Sequence, residues 1–425
     1  MKQLALSILS LSICSLSVAQ RTPAPTTNDK YCIQGGTFHL GNGEVMEAGF
    51  LAFENGTITS ISPSELPAGC DQVIQAEGKH IYPGFIAPNS TLGLVEIDAV
   101  RATRDQRETG SFNPHIRSII AYNPESRITE TVRSNGVLMG QITPRGGWIS
   151  GTSSIVQFDA WNWEDAIVKE DEGIHVNWPS KFQRSGWWAN PGPTKPNEKY
   201  SEQRTTLSNY FKKAASYKGG NSDLRMQAMK GLFSGKTRLY VHCSAAQEIL
   251  DVIAFKADLQ LQHLVIVGAY EAYKVLPELK EAQIPVLLQR VHSLPEGMDD
   301  DIHLPFKLPA MLHEAGIQFA FDNSGDMEQM QTRNLPSYGG TAVAYGLPYE
   351  DAVKALTYST ANILGIAENY GSLETGKSAT LFISAGDALD MLTNQVEAAF
   401  IDGRKLDLGN RQKDLFEKFS TKYKH

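Results

Sequence analysis

The sequence predicts an α/β protein in which a long strand–helix repeat is bracketed by two short β-rich segments. Three observations predict it. Between about residues 82 and 366, apolar runs of strand length alternate with helical patterns, which implies a parallel sheet, either open or closed into a barrel. Residues 31–81 and 367–406 instead read as strands and turns with no helical period. The 425 residues are 41% hydrophobic and 20% charged, an ordinary globular composition and enough chain for more than one domain.

The elements follow in order. Lys2 gives a short positive start, residues 4–18 are an apolar run, and Ser17-Val18-Ala19 offers small residues ahead of Gln20. This reads as a secretory signal over 1–19, so the mature chain is expected in the periplasm or outside the cell. The run is too short to span a bilayer as a stable helix, and no later stretch approaches ~20 unbroken apolar residues. No integral membrane segment is therefore expected in the mature chain. A lipid attachment at Cys14 is disfavoured by Ile13, which stands where a small residue is wanted.

Residues 20–30 are rich in Pro, Thr and Asn and are expected to be a disordered linker. Within 31–81, Asn55-Gly56 between alternating segments signals a hairpin. Cys32 and Cys70 both fall here; an oxidising compartment permits a disulfide between them, and two buried thiols are the alternative. Cys243 lies in an apolar strand and reads as a core thiol. The strand-like runs of the central repeat include 137–143, 239–243, 264–267, 285–289 and 318–321, with helices such as 246–255, 270–282 and 309–315 between them. The span 82–366 has the length of a (β/α)8 barrel. Residues 161–221 are long, aromatic and rich in Pro, Gly and Lys, and are expected to form a lid-like insertion over the barrel mouth. Trp161, Trp163, Trp178, Trp187, Trp188 and Tyr200 would either line a pocket there or give the loop its own small core. Residues 367–425 return to β structure and end in an amphipathic helix over 412–423.

The charge excludes one class of partner. The formal net charge is 39 − 47 = −8, and loss of Lys2 with the signal makes it 38 − 47 = −9. Phosphate binding wants a basic face, so nucleic acid is not expected as the partner. A small-molecule or peptide-like substrate or ligand is.

Several segments together carry a family resemblance. "GKHIYPGF" at 78–85 closes the first β segment. "GSLETGKSATLFIS" followed by "FIDGRKL" opens the last. Between them stand "VHCSAAQEI" (241–249), "LVIVGAYEAYKVLPEL" (264–279) and "GIQFAFD" (316–322). Over roughly 30–420 the chain resembles the amidohydrolase superfamily, in particular its imidazolonepropionase-like branch. The resemblance implies a TIM-like (β/α)8 barrel (82–366) inserted into a small composite β-sandwich made from 31–81 and 367–425. It also implies hydrolysis of carbon–nitrogen bonds at one or two divalent metals, zinc-like, at the barrel mouth. The ligands would be H-x-H on strand 1, a His on strand 5, a His on strand 6 and an Asp on strand 8. The metal would acidify water and polarise the carbonyl, and the Asp would handle protons.

The residues depart from that pattern. Ala87-Pro88-Asn89-Ser90-Thr91 stands where an Asp and H-x-H are expected, and neutral Asn and Thr oxygens bind zinc poorly. His242 matches the strand 5 ligand. Gly268 takes the strand 6 position. On strand 8 the resemblance aligns Ser324 with the acid, leaving Asp322 two residues early but still a candidate. One His and one displaced Asp fall short of the three protein ligands of a catalytic zinc site, so any metal is expected to be weakly held or absent. A rebuilt site would draw on strand ends, where barrel enzymes place function: Asp322 and His242 as catalytic groups, Asn89, Arg145, Tyr270 and Arg290 against substrate, and His242, His292 and Asp322 as a different metal set. The plainer alternatives are a packed His242, an Arg145 that clamps a loop and an Asp322 that binds backbone amides. Residues 146–154, rich in Gly and hydroxyls, lack a following Gly-Lys and read as a loop at the mouth; the other histidines, His175 included, form no metal spacing. Three functions are thus in play: a C–N hydrolase with an altered or reduced metal centre, a catalytically inactive barrel that binds a ligand or partner protein, and a metal-free lyase or isomerase using Asp322 with Arg145 or Arg290.

Overall fold

The computed structural model describes residues 21–65, 67–187, 190–219, 222–325 and 327–423; the proposed signal, 1–19, lies outside them. Seven strands come first: β1 (Tyr31–Gln34), β2 (Thr37–His39), β3 (Val45–Glu47), β4 (Phe50–Glu54), β5 (Thr57–Ser62), β6 (Gln72–Gln75) and β7 (His80–Pro83). The central region supplies β8 (Phe85–Ser90), β9 (Val137–Ile142), β10 (Ile149–Gln157), β11 (Ile167–Asn177), a hairpin of β12 (Phe182–Trp187) and β13 (Asn190–Pro196), then β14 (Arg238–Cys243), β15 (Leu264–Gly268), β16 (Val286–Leu288) and β17 (Phe319–Phe321). Its main helices are α1 (Arg127–Arg133), α2 (Tyr200–Ala215), α3 (Leu224–Phe233), α4 (Ala246–Leu259), α5 (Leu276–Glu281), α6 (Leu304–Glu314), α7 (Leu335–Ala344), α8 (Tyr349–Leu356) and α9 (Tyr358–Leu364). The chain closes with β18 (Leu381–Ser384), β19 (Val396–Ile401), β20 (Arg404–Lys405) and α10 (Arg411–Tyr423).

The sandwich is composite, as expected. One sheet has the order β5-β4-β1-β6; the other, β20-β19-β18-β7-β2-β3, interleaves strands from both ends of the chain. Ile33, Phe38, Leu51, Phe53, Ile81, Leu381 and Phe400 fill the space between them, each such side chain contributing about 1.5–3 kcal/mol by leaving water. Cys32 and Cys70 are joined in a disulfide with their Cα atoms 5.8 Å apart, and Cys243 is free and buried. The buried His39 ties this domain to the barrel: its Nδ1 lies 2.8 Å from Glu350 on α8 and its Nε2 3.0 Å from His80.

The barrel sheet runs β8-β9-β10-β11-β14-β15-β16-β17, and β17 comes back against β8. It departs from a regular (β/α)8 repeat at β10, which is antiparallel to both β9 and β11. Only residues 143–148 separate β9 from β10, and a parallel return needs a crossover of a dozen residues or more. The glycine- and hydroxyl-rich stretch read as a mouth loop is mostly this strand. Residues 161–221 also need correction, because β11 lies within them and is a full member of the barrel. Its apolar residues are interrupted by Lys169-Glu170-Asp171-Glu172, so it does not stand out from the polar stretches around it. Outside the barrel sheet there remain the β12–β13 hairpin and α2.

Two further expectations change. Residues 21–30 carry no helix or strand but are anchored. The Ala24 amide donates to Asp159 (2.8 Å), Arg404 donates to the Ala24 carbonyl (3.1 Å), and Arg21 pairs with Asp407 (2.8 Å) and Asp414 (2.6 Å). The tryptophans do not form one cluster. Trp178 packs edge-on against Phe255 and donates to the Tyr200 hydroxyl. Trp161, 64% exposed, follows β10 and so sits at the end of the barrel away from the mouth; Trp188 lies outside the described residues. The terminal helix α10 forms as expected. Among the described residues no helix is long and apolar enough to cross a membrane.

Candidate functional site at the barrel mouth

Two groups of buried polar side chains lie in the barrel, one at the C-terminal ends of the parallel strands and one running inward from His242 at the end of β14. The first joins β8 to β17. Asn89, in the left-handed region at φ +48°, is a residue type that tolerates this backbone. Its Nδ2 donates to Asp322 Oδ2 at 2.8 Å, and its Oδ1 accepts from Arg145 at 3.0 Å. Asp322, immediately after β17, also accepts from the Ser324 hydroxyl (2.6 Å) and amide (2.8 Å). Burial pushes the Asp322 carboxyl up to about 6, against the lowering effect of those hydrogen bonds and of Arg145. Of the two residues Asp322 and Ser324, Asp322 meets Asn89 at the strand 1 position, and Ser324 folds back onto Asp322.

Arg145 is heavily committed. It donates to Asn89 Oδ1, to the carbonyls of Asn89 (2.6 Å), Thr143 (3.3 Å) and Pro144 (3.4 Å), and to Glu328 (2.8 Å). Glu328 in turn accepts from the Gly325 amide, so the guanidinium clamps the loop after β17.

The second group lies on β9, β10, β11 and β14. His242 Nε2 is 3.0 Å from His175 Nδ1, and His175 Nε2 is 3.0 Å from Ser153 Oγ. Ser153 donates to Glu172 at 2.6 Å, as do Gln141 at 2.5 Å and Tyr240 at 2.9 Å. Gln141 also accepts from the Asn89 amide, which links the two groups. Burial, then the charge of Arg145, lowers His242 to about 3. His175 is lowered well below its usual range, by burial first, then His242 and Arg145. Burial raises Glu172, against its three hydrogen bonds. The sequence signal for this group is Gln141 in "VLMGQI", Ser153 in "GTSSIVQ", and Glu172 and His175 in "EGIHV", polar residues within runs of strand length. The Gly-rich and Lys-rich residues around β10 and β11 give those segments the look of a loop and an insertion, which conceals the signal.

The remaining candidates are dispersed. Arg290 donates to the Asn323 carbonyl at 3.0 Å. The Tyr270 hydroxyl donates to Asp300 (2.6 Å) and accepts from the Glu296 amide (2.9 Å), holding a surface loop instead of facing the mouth. His292 reaches Thr341 Oγ1 at 2.7 Å and packs edge-on against Tyr338.

These residues do not fit the divalent metal that the resemblance implies. The set His242, His292 and Asp322 is not assembled: His292 is turned to Thr341 and His242 to His175. Among the described residues no three His, Cys, Asp or Glu side chains are grouped to hold a metal ion. The strand 1 position carries a carboxamide whose oxygen already faces a guanidinium, a fixed positive charge that repels a dication. The strand 6 position is closed as well. Gly268 has φ +103°, and a Cβ there would stand 3.0 Å from the Cys243 carbonyl oxygen.

Comparisons with known proteins agree with this architecture. The amidohydrolase family model matches residues 306–406. An amidohydrolase from Thermotoga maritima superposes with TM-score 0.76 at 23% identity, over 89% of this chain and 99% of that one. A Xaa-Pro dipeptidase with bound methionine gives TM-score 0.55 at 14% identity, covering 89% and 100%. Phenylurea hydrolase B gives 0.55 at 11%, covering 89% and 97%. "Amidohydrolase tasK" of Hapsidospora irregularis is 20% identical over 90% of this chain, which spans only 41% of that relative's length. The fold defines a TIM-like barrel set in a β-sandwich, with its polar groups at the barrel mouth. That fold is similar to the fold of these amidohydrolases, and the amidohydrolase family match covers the end of the barrel and the return to the sandwich, residues 306–406.

Proposed function

We propose that the chain is an exported hydrolase of carbon–nitrogen bonds in which Asp322 handles protons at the barrel mouth and no divalent metal is held there. The observation that carries this is the Asp322 carboxyl itself. It is fully buried at the end of β17, hydrogen-bonded to Asn89 and Ser324 and pushed up to about 6, a value suited to general acid–base work near neutrality. As the base it takes a proton from water attacking an amide carbonyl and returns it to the departing nitrogen. The substrate is a small-molecule or peptide-like amide. The leader-like residues 1–19 and the Cys32–Cys70 disulfide support export.

The test is turnover on a panel of linear and cyclic amides by the purified mature protein, with and without chelator. Turnover that survives chelator and falls at least 100-fold in Asp322→Asn is expected. Stoichiometric zinc, manganese or iron, together with chelator-sensitive turnover, would overturn the metal-free reading. A second reading, a non-catalytic barrel that binds a ligand or partner, is favoured by one observation: Arg145 and both Asp322 oxygens already have internal partners. It predicts no turnover across the panel.

A further inference from the structure

We infer that His242, His175, Ser153 and Glu172 form a proton relay from the barrel mouth to a carboxylate sealed inside the barrel, with His242 as its outer end. Its catalytic use rests on the hydrolase reading above; its hydrogen-bond order does not.

The order follows from counting protons. Ser153 has one. Its Oγ lies 2.6 Å from Glu172 Oε1, closer than to the two other acceptors in reach, His175 Nε2 at 3.0 Å and the Gly173 carbonyl at 3.3 Å. Glu172 also receives Gln141 Nε2 and the Tyr240 hydroxyl. Three donors converging on one carboxyl favour the carboxylate, so Ser153 donates to it. Ser153 must then accept from His175 Nε2–H across the 3.0 Å contact. A neutral imidazole has a single N–H, so His175 Nδ1 is an acceptor and takes Nε2–H of His242, also at 3.0 Å. That leaves Nδ1 of His242 as a lone pair at the mouth. The His175 ring is held in plane by stacking on Tyr240, with centroids 4.6 Å apart and 6° between planes.

A proton arriving at His242 Nδ1 moves the whole chain by one step. Nε2–H of His242 passes to His175 Nδ1, Nε2–H of His175 to Ser153 Oγ, and the Ser153 proton to Glu172 Oε1. Glu172 becomes a carboxylic acid and both rings end neutral in the opposite tautomer. Only N–H and O–H bonds change, and nothing is oxidised or reduced. The relay avoids a specific cost: Arg145 opposes a cation at His242, whereas Glu172 accepts the proton as an anion. The groups bearing on Glu172 are Gln141, Ser153, Tyr240 and the charges of Arg238 and Lys169; those bearing on His242 are His175 and Arg145.

The test is long-range 15N NMR of the histidine rings in the full mature chain, from pH 8 to pH 4.5. At pH 8 both His242 and His175 should be Nε2–H tautomers. On acidification they should pass together, with one midpoint, to Nδ1–H, neither reaching the shifts of imidazolium. Glu172→Gln should abolish that joint transition and Asp322→Asn should leave it in place. An Nδ1–H tautomer at pH 8, separate midpoints, an imidazolium, no transition, or a transition that persists in Glu172→Gln would each overturn the relay. If Glu172→Gln does not fold, the parent titration decides alone. A joint transition in a protein that turns over no amide sinks the hydrolase reading and leaves the relay standing.

Discussion

On the β8–β17 side of the mouth the buried groups are ions held against one another: Arg145 against Glu328, with Asn89 between Arg145 and Asp322. On the β11–β14 side they are neutral rings and hydroxyls in series, ending on a single carboxyl, Glu172. The first side is fixed by charge, the second by which atom carries each proton. The difference separates two kinds of failure. Removing one ion strands its partner in a low-dielectric site, whereas removing one link of a neutral chain leaves only a hydrogen bond unmade.

The largest expected effect is therefore on the ionic side. Arg145→Met leaves Glu328 buried without its cation and frees three carbonyls, and should cost about 3–5 kcal/mol of unfolding free energy, read from urea midpoints. On the neutral side Tyr240→Phe removes only the donor to Glu172, 2.9 Å away, and should cost about 2 kcal/mol. Equal losses in the two variants would erase the distinction. A smaller loss for Arg145→Met would reverse it, and would mean that the Arg145–Glu328 pair is solvated in solution.

The same contrast explains what the sequence made legible. The composite sandwich could be read because its strands alternate and its turns carry Asn55-Gly56 and Gly403. The ionic side was read in part: Asn89, Arg145 and Asp322 all end recognisable apolar runs. Glu328 was not, since its partner is 183 positions away and no local pattern announces it. On the neutral side only His242 was read. Gln141 is a lone polar residue in an apolar strand and Ser153 sits in the hydroxyl run Thr152-Ser153-Ser154; neither marks a site until the barrel closes around it, and His175 has no metal-like spacing. The reversal of β10 was legible in principle, because the six residues at 143–148 are too few for a crossover. Its Gly-rich text suggested a loop instead. Gly268 was readable as an absent ligand, but only its φ of +103° shows why a histidine cannot simply be restored there.

The smallest effect is also the sharpest separation, because the two sides respond to pH with opposite sign. Asp322 is raised from 3.8 to about 6 in the fold, so its contribution to stability is complete below the unfolded value and is lost as pH rises through about 6. His242 is lowered from 6.5 to about 3, so its contribution is complete above 6.5 and is lost as pH falls toward 3. Each group gives a slope of at most about 1.4 kcal/mol per pH unit, and between pH 6 and 4 the two slopes oppose and partly cancel. Removing either group unmasks the other. Asp322→Asn should lose stability more steeply than the parent on going from pH 6 to 4, and His242→Gln less steeply, in urea midpoints taken at half-unit steps. Parallel curves for the parent and both variants would mean that neither group is desolvated, and the mouth would then be an open, hydrated cleft instead of two sealed networks.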